Sequence, residues 1–299
     1  MKLLNICFGV IAGTTLAQGQ NVVSWVSSTG SDAANCTRVA PCKTFAGAYL
    51  KTNSGGAIHV IDAADYGAVI ISKPLTIDGA GTAAVIAGAS GVHVVKVALG
   101  SSDVVTLRNL TIYPRPGGQA DPVACGIAED SVSGTVNVEN VAIVMPPGAN
   151  TIGVCLGQVN LRNVSTTGGT YGVSSSFGAV TAERLSVANA SQSGLAAGNG
   201  SLTVRDSVFR GNTGSGILVQ ASSVPTSALI ERSEMSLGGT GLIASQNGAA
   251  VTVRVSDSVI TGNNLGVSAL GGGTVITFRT NMIAGNTTDG APALSTSLK

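Results

Sequence analysis

A few residues in the middle of the chain have the right types and spacing to hold a ligand. Tyr113, Arg115, Gln119 and Asp121 crowd the stretch YPRPGGQADP between Tyr113 and Pro122, and Asn150 and Tyr171 recur at the matching place further on. An aromatic ring can stack on a sugar ring while amide, carboxylate and guanidinium groups hold its hydroxyls, so the set suits a carbohydrate. The plainer reading is a group of solvated loops that proline stiffens.

Other reactive side chains invite structural readings. His59 and His93 lie beside inward Val and Ile positions, where an outward-facing strand histidine is the default. Asp206, Glu231 and Asp257 fall on three successive repeats, a spacing that could gather oxygen ligands for calcium. Arg184, Arg205 and Arg232 lie among them and would neutralise the group first, so no metal or other cofactor is expected. Cys36 and Cys42 bracket a short loop and are expected to form a local disulfide. Cys125 and Cys155 lie on neighbouring repeats, but strict alternation puts Cys125 inward with Ile127 and Cys155 outward beside Val154. That arrangement favours two separate structural thiols over a disulfide, and without a Cys-x-x-Cys motif redox chemistry is the weakest reading.

These residues are positioned by a repeat. Gly followed by Val, Ile or Leu recurs at Gly91, Gly126, Gly153, Gly172, Gly194, Gly216, Gly241 and Gly266, at intervals of 35, 27, 19, 22, 22, 25 and 25 residues. Such a period belongs to a solenoid. Between the marks lie alternating apolar phrases, among them VVTLRNLTI, TVNVENVAI, QVNLRNVST and SLTVRDSVF. In TVNVENVAI the inward residues are Val136, Val138 and Val141, so Glu139-Asn140 must form a two-residue bend. The same bend recurs at Arg108-Asn109, Arg162-Asn163, Glu183-Arg184, Arg205-Asp206, Glu231-Arg232, Ser256-Asp257 and Arg279-Thr280. Its first file alternates in charge, as a parallel stack about 4.8 Å apart requires. Its second begins Asn109, Asn140, Asn163, an asparagine ladder at a turn where Asn tolerates unusual backbone angles.

Composition agrees with this architecture. Charged residues make up 10% of the chain, far below the roughly 25% of ordinary globular domains. A net charge of +1 supplies no field for nucleic acid or an anionic membrane. Residues 1–17 read as a secretory leader, with Lys2, an apolar run from Leu3 to Ala12 and small residues before a cut after Ala17. The run is too short to span a bilayer. Removal of the leader would take Cys7 and leave an even number of cysteines for an oxidising compartment, so an exported, soluble chain is expected, with a periplasmic, extracellular or cell-surface address. Residues 18–56 are read as an N-terminal strand, a cysteine loop and a capping helix in TFAGAYLKT, with Phe45, Ala48 and Tyr49 on one face. Residues 57–290 are read as a right-handed parallel β-helix of about nine rungs, a rod about 40 Å long, and residues 291–299 as a flexible tail.

The start of the solenoid carries a resemblance. A cap helix, a strand, the Tyr66-Gly67 turn, a second strand, Lys73-Pro74 and then Leu75-Thr76-Ile77-Asp78-Gly79 resemble the opening of right-handed parallel β-helix proteins of the pectin-lyase-like superfamily, over roughly residues 44–290. The resemblance implies a bacterial exported protein and allows a polysaccharide lyase or glycoside hydrolase acting on an acidic polysaccharide. The enzyme motifs do not follow. Polygalacturonases would call for an Asp-Asp pair and a Gly-His-Gly, since glycoside hydrolysis uses paired carboxylates, and neither occurs here. Pectin methylesterases carry a Glu after the turn tyrosine, where this chain has Asp65-Tyr66-Gly67-Ala68-Val69. The leading expectation is therefore a non-catalytic module that binds carbohydrate or supports adhesion, with a lyase or hydrolase as the alternative.

Overall fold

The computed structural model describes residues 20–79, 81–88, 91–115, 124–129, 134–147, 150–292 and 294–296. The expected leader and much of the expected tail lie outside these residues. The described chain forms a right-handed parallel β-helix with two sheets. Successive rungs pair in parallel, as Val104–Tyr113 does with Thr135–Val144, which in turn pairs with Val159–Thr167. The narrower sheet has nine strands, from Val69–Ile71 at one end to Leu265–Leu270 at the other, in agreement with the rung number expected from the repeat.

Two corners hold each rung. At the first, the second residue of the bend adopts a left-handed backbone, with φ of 57° at Asn109, 53° at Asn140, Asn163 and Arg184, 50° at Asp206, 46° at Arg232 and 51° at Asp257. Asparagine tolerates this region because its short side chain bonds locally. The ladder does form: Asn140 Nδ2 donates to Asn109 Oδ1 at 3.2 Å and Asn163 Nδ2 to Asn140 Oδ1 at 2.8 Å. Both files start one rung early, on Asp78, whose carboxylate accepts from Arg108 Nε at 2.8 Å and Asn109 Nδ2 at 2.7 Å. The alternating charges meet at Arg205 to Glu231, 2.7 Å, and at Arg232 to Asp206 through two bonds of 2.7 and 3.0 Å. The last rung departs from the expected bend. Val255 pairs with Thr277 and Val259 with Met282, four residues against five, so Phe278 and Arg279 together stand opposite Ser256. Asn281 ties the longer turn, donating to Val255 O at 2.7 Å and Phe278 O at 2.9 Å.

From Gly126 onward the repeated glycine occupies the second corner, and packing explains why it recurs; Gly91 stands outside this file, since Val95 pairs with Ile127 and Val94 takes the place of the glycine. A Cβ on Gly126 would lie 2.6 Å from Gly153 O, one on Gly153 would lie 2.4 Å from Gly172 O, and one on Gly172, Gly194, Gly216 or Gly241 would lie 2.7 Å from the carbonyl of the next glycine in the file. The added atom would also press on the core: at Gly241 it would meet Ile260 Cγ2 at 2.4 Å.

The N-terminal end is closed by the helix Phe45–Lys51, with Thr44 as its N-cap accepting from Gly47 N at 2.9 Å. Phe45 and Ala48 are fully buried and Tyr49 packs partly against the core. The Phe45 ring meets Tyr66 at 5.2 Å between centroids, a contact worth about 0.5–1.5 kcal/mol beyond burial. The first strand, Asn21–Val26, pairs in parallel with Thr52–Val60 and so belongs to the larger sheet. Asp62 fastens this end. It takes a hydrogen bond from the Tyr66 hydroxyl, one from Ser27 Oγ at 2.9 Å, and two from Ser28, through N at 2.9 Å and Oγ at 2.8 Å. The Tyr66 bond first, then the Ser28 amide, hold the Asp62 carboxyl down from 3.8 to about 2, and burial beside that carboxylate pushes the Tyr66 phenol up.

Two predictions follow from these corners. Asn140→Val should lower stability in urea unfolding by about 1–3 kcal/mol, since a β-branched residue pays for the left-handed bend, and Asn140→Gly should cost less because Gly is unstrained there. A depressed carboxyl contributes stability that is complete above its unfolded pKa and lost as pH falls through the folded one. Thermal midpoints of the wild type should accordingly fall between pH of about 4 and 2, and Asp62→Asn should remove that part of the slope.

Candidate functional site

The longest corner connections leave the larger sheet where its strands end, at Ala87, Tyr113 and Val144. Ala87 and Tyr113 stand in register on adjacent strands. Beyond them the chain turns, with Gly88 N donating to Tyr113 O at 3.3 Å and Gly91 N to Arg115 O at 3.1 Å. On the next rung Met145 N bonds Thr167 O at 2.9 Å, and Gly169 N reaches Pro146 O at 3.4 Å. The result is a groove of about 480 Å³ whose walls include Tyr113, Pro114 and Arg115 on one side and Met145, Pro146 and Pro147 on the other. Tyr113 is 39% exposed, enough to present a ring to a ligand.

Asp65 lies at the floor's edge. Its Oδ1 accepts from Gly67 N at 2.9 Å and Ala87 N at 3.0 Å, so it braces the turn that precedes the groove. Among the described residues it is the only carboxylate lining this groove.

The expected cluster divides. Tyr113 and Arg115 line the groove together. Asn150 is exposed in the turn before Thr151–Cys155 and lies outside the groove, as does Tyr171. Tyr171 pairs with Ile152 in the narrower sheet and donates its hydroxyl to Gln192 Oε1. Gln119 and Asp121 lie outside the described residues. Sequence reasoning missed Asp65, Pro146 and Pro147 as wall residues. The register was the available signal, since Asp65 bridges Val85 and Val85 pairs with Thr111 on the strand that ends at Tyr113.

The remaining reactive groups are engaged in the frame. The His59 ring stacks on Trp25 at 5.1 Å, with the Arg38 guanidinium 5.1 Å from the same indole. His93 Nδ1 accepts from Cys125 N at 3.1 Å. Asp206 and Glu231 face arginines, and the Arg232 hydrogen bond is the first cause of the lowered Asp206 pKa. Glu129 escaped notice in the sequence. Burial raises its pKa, while Oε2 accepts from Gly157 N at 2.8 Å and steadies that turn.

The cysteines require a correction. Cys36 and Cys42 form the expected disulfide, and Cys125 and Cys155 form a second. Alternation failed at the glycine corner. A Cβ on Gly126 would point at Ile143 and Ile112, and Ile127 beside it is fully buried. Two consecutive positions thus face the core, which sets Cys125 outward one place before the corner, on the same side as Cys155. On the adjacent strands Cys125 stands opposite Ile152 and Cys155 opposite Ala128, on either side of the glycine corner, and their Cα atoms are 6.2 Å apart. Two closed disulfides fit an oxidising compartment. Among the described residues no helix is long and apolar enough to cross a membrane.

Solved structures share this architecture. XylC in complex with xylose matches with a TM-score of 0.54 at 9% identity, over 88% of this chain and 66% of that one. A rhamnogalacturonan lyase matches at 0.41 and 11% identity, over 83% of this chain and 75% of that one. The GH136 lacto-N-biosidase from Eubacterium ramulus matches at 0.45 and 11% identity, over 93% of this chain and 67% of that one. The shared fold is a parallel β-helix. No protein-family model matches the chain, and no curated protein sequence does. The present chain spans 66% of the XylC chain, and at such identity the likeness concerns the fold alone.

Peptide mapping under non-reducing conditions should return Cys36 joined to Cys42 and Cys125 joined to Cys155. Free thiols at the second pair would contradict the outward placement of Cys125.

Proposed function

We propose that this chain is an exported β-helix module that holds a carbohydrate in the corner groove without cleaving it. The observation that carries the reading is the meeting of Tyr113, Arg115 and three prolines around about 480 Å³ of open groove. A phenol ring and proline faces offer flat apolar surface to the C–H face of a sugar, and the Arg115 guanidinium offers donors to its oxygens. Two further facts support it. Glycoside hydrolysis uses two carboxylates flanking the bond, and the one lining carboxylate among the described residues, Asp65, is committed to two backbone amides. One structural neighbour, XylC, with a TM-score of 0.54, was solved with xylose, which supports a sugar as the kind of ligand. The disulfides suit a periplasmic, extracellular or cell-surface address, where glycan binding would also serve adhesion.

The test is affinity electrophoresis of the mature protein through acidic and neutral polysaccharides, with product analysis of the same mixtures. Retention by one glycan is expected, and Tyr113→Ala should weaken it at least about tenfold, or about 1.4 kcal/mol. Unsaturated products or new reducing ends that disappear in Arg115→Ala would replace this reading with a lyase or hydrolase.

A further inference from the structure

Asn followed by Gly occurs twice in this chain, at Asn199-Gly200 and Asn247-Gly248. This dipeptide is especially open to spontaneous loss of the side-chain amide, because glycine leaves its own backbone nitrogen unshielded and free to swing toward the asparagine Cγ. By sequence the two are equivalent. They also share one corner of the rod, where the chain passes from the narrower sheet to the larger. Asn199 lies between Ser193–Gly198 and Gly200–Arg205, and Asn247 between Thr240–Gln246 and Val251–Ser256.

The structure treats them differently. Asn199 is half-buried, and its Oδ1 accepts from three successive backbone amides of the next rung, Ser222 N and Ser223 N at 3.0 Å and Val224 N at 3.2 Å. Its Nδ2 donates to Ser176 O at 3.1 Å and to Ser222 Oγ at 3.3 Å. Gly200 is held as well: it opens a strand in register with Gly178, and its N donates to Thr226 Oγ1 at 3.4 Å. Ring closure at Asn199 would have to break these bonds first. Asn247 and Gly248 are exposed in a bend. Asn247 Oδ1 has one long partner, Ser245 Oγ at 3.4 Å, and among the described residues neither Asn247 Nδ2 nor Gly248 N makes a hydrogen bond. The attacking nitrogen and the leaving group are both at liberty.

We propose that Asn247 is a site of spontaneous deamidation in the folded protein and that Asn199 is protected from it. Gly248 N, having given its proton to a solvent base, bonds to Asn247 Cγ. The Cγ–Nδ2 bond breaks, and Nδ2 takes up a proton and leaves as ammonia. Water then opens the cyclic imide at either carbonyl, which leaves aspartate or isoaspartate at position 247. Either product places a carboxylate at this corner. Isoaspartate also lengthens the backbone between Gln246 and Val251, which stand in register with Ala221 and Thr226. The bonds that tie this turn to its neighbour, Asn247 N to Ala221 O at 2.8 Å and Thr226 N to Ala250 O at 2.9 Å, are weakened in consequence.

The experiment incubates the protein at mildly alkaline pH below its thermal midpoint, and in parallel in unfolding urea. Peptide mapping by mass spectrometry follows both asparagines, and an isoaspartyl methyltransferase labels the isoaspartate. In the folded protein Asn247 should convert at least about tenfold faster than Asn199, and in urea the two rates should converge. The rate at Asn247 should rise with pH, since attack needs the deprotonated amide. Asn247→Gln should suppress ammonia release from the folded protein, because the longer side chain is less well placed for ring closure. Aged protein should exchange the Thr226 amide hydrogen faster than fresh protein. Comparable conversion of both asparagines in the folded protein, or faster loss at Asn199, would overturn the proposal, as would an Asn247 that survives folded incubation while it converts in urea.

Discussion

In-register parallel stacking is the constraint on which the rest of this molecule depends. Side chains in a strand alternate with a period of two, so a slip of one residue would turn the core face of a rung toward solvent. Each rung guards its register at two corners. At one, a residue takes a left-handed backbone and a side-chain file links rung to rung. At the other, a glycine lets backbone approach backbone more closely than any Cβ would permit. The arginines at 184 and 232 bear the same left-handed angle as the asparagines above them. At Arg232 the backbone N–H bonds Ser256 O on the next rung and the guanidinium makes two bonds to Asp206.

This economy of charge bears on function. Several acidic and basic residues in the repeats face one another along the bend, as Arg205 faces Glu231 and Arg232 faces Asp206. A carboxylate already opposed by a guanidinium makes a poor general acid and a poor metal ligand. Chemistry therefore has to come from places where the repeat is interrupted, and those are the corner connections after Tyr113 and Val144 and at Asn247.

How much was legible follows from which interactions are local. The bends at Asn109, Asn140 and Asn163 could be read from a break in alternation, and the Phe45 face of the helix from its spacing, because both patterns repeat within a few residues. The corner site was legible in part. Tyr113 and Arg115 sit two residues apart and point to one place, whereas Asp65 and Pro146 join them only through pairing across rungs. Tyr171 looked equivalent to Tyr113 by its place in the repeat, yet shorter loops carry it onto the neighbouring sheet, where Gln192 receives its hydroxyl.

The cysteines mark the same boundary. By itself the sequence determined the solenoid, its period, its capping helix, the alternating charge file and the disulfide from Cys36 to Cys42, since each depends on spacing along one stretch of chain. Only the tertiary structure decided that Cys125 bonds Cys155, that Asp65 braces the groove, and that amides of the next rung hold Asn199. The physical reason is the glycine corner. There two successive residues face inward, alternation is reset, and the reset can be located only when the neighbouring rung shows which backbone atoms the glycine must admit.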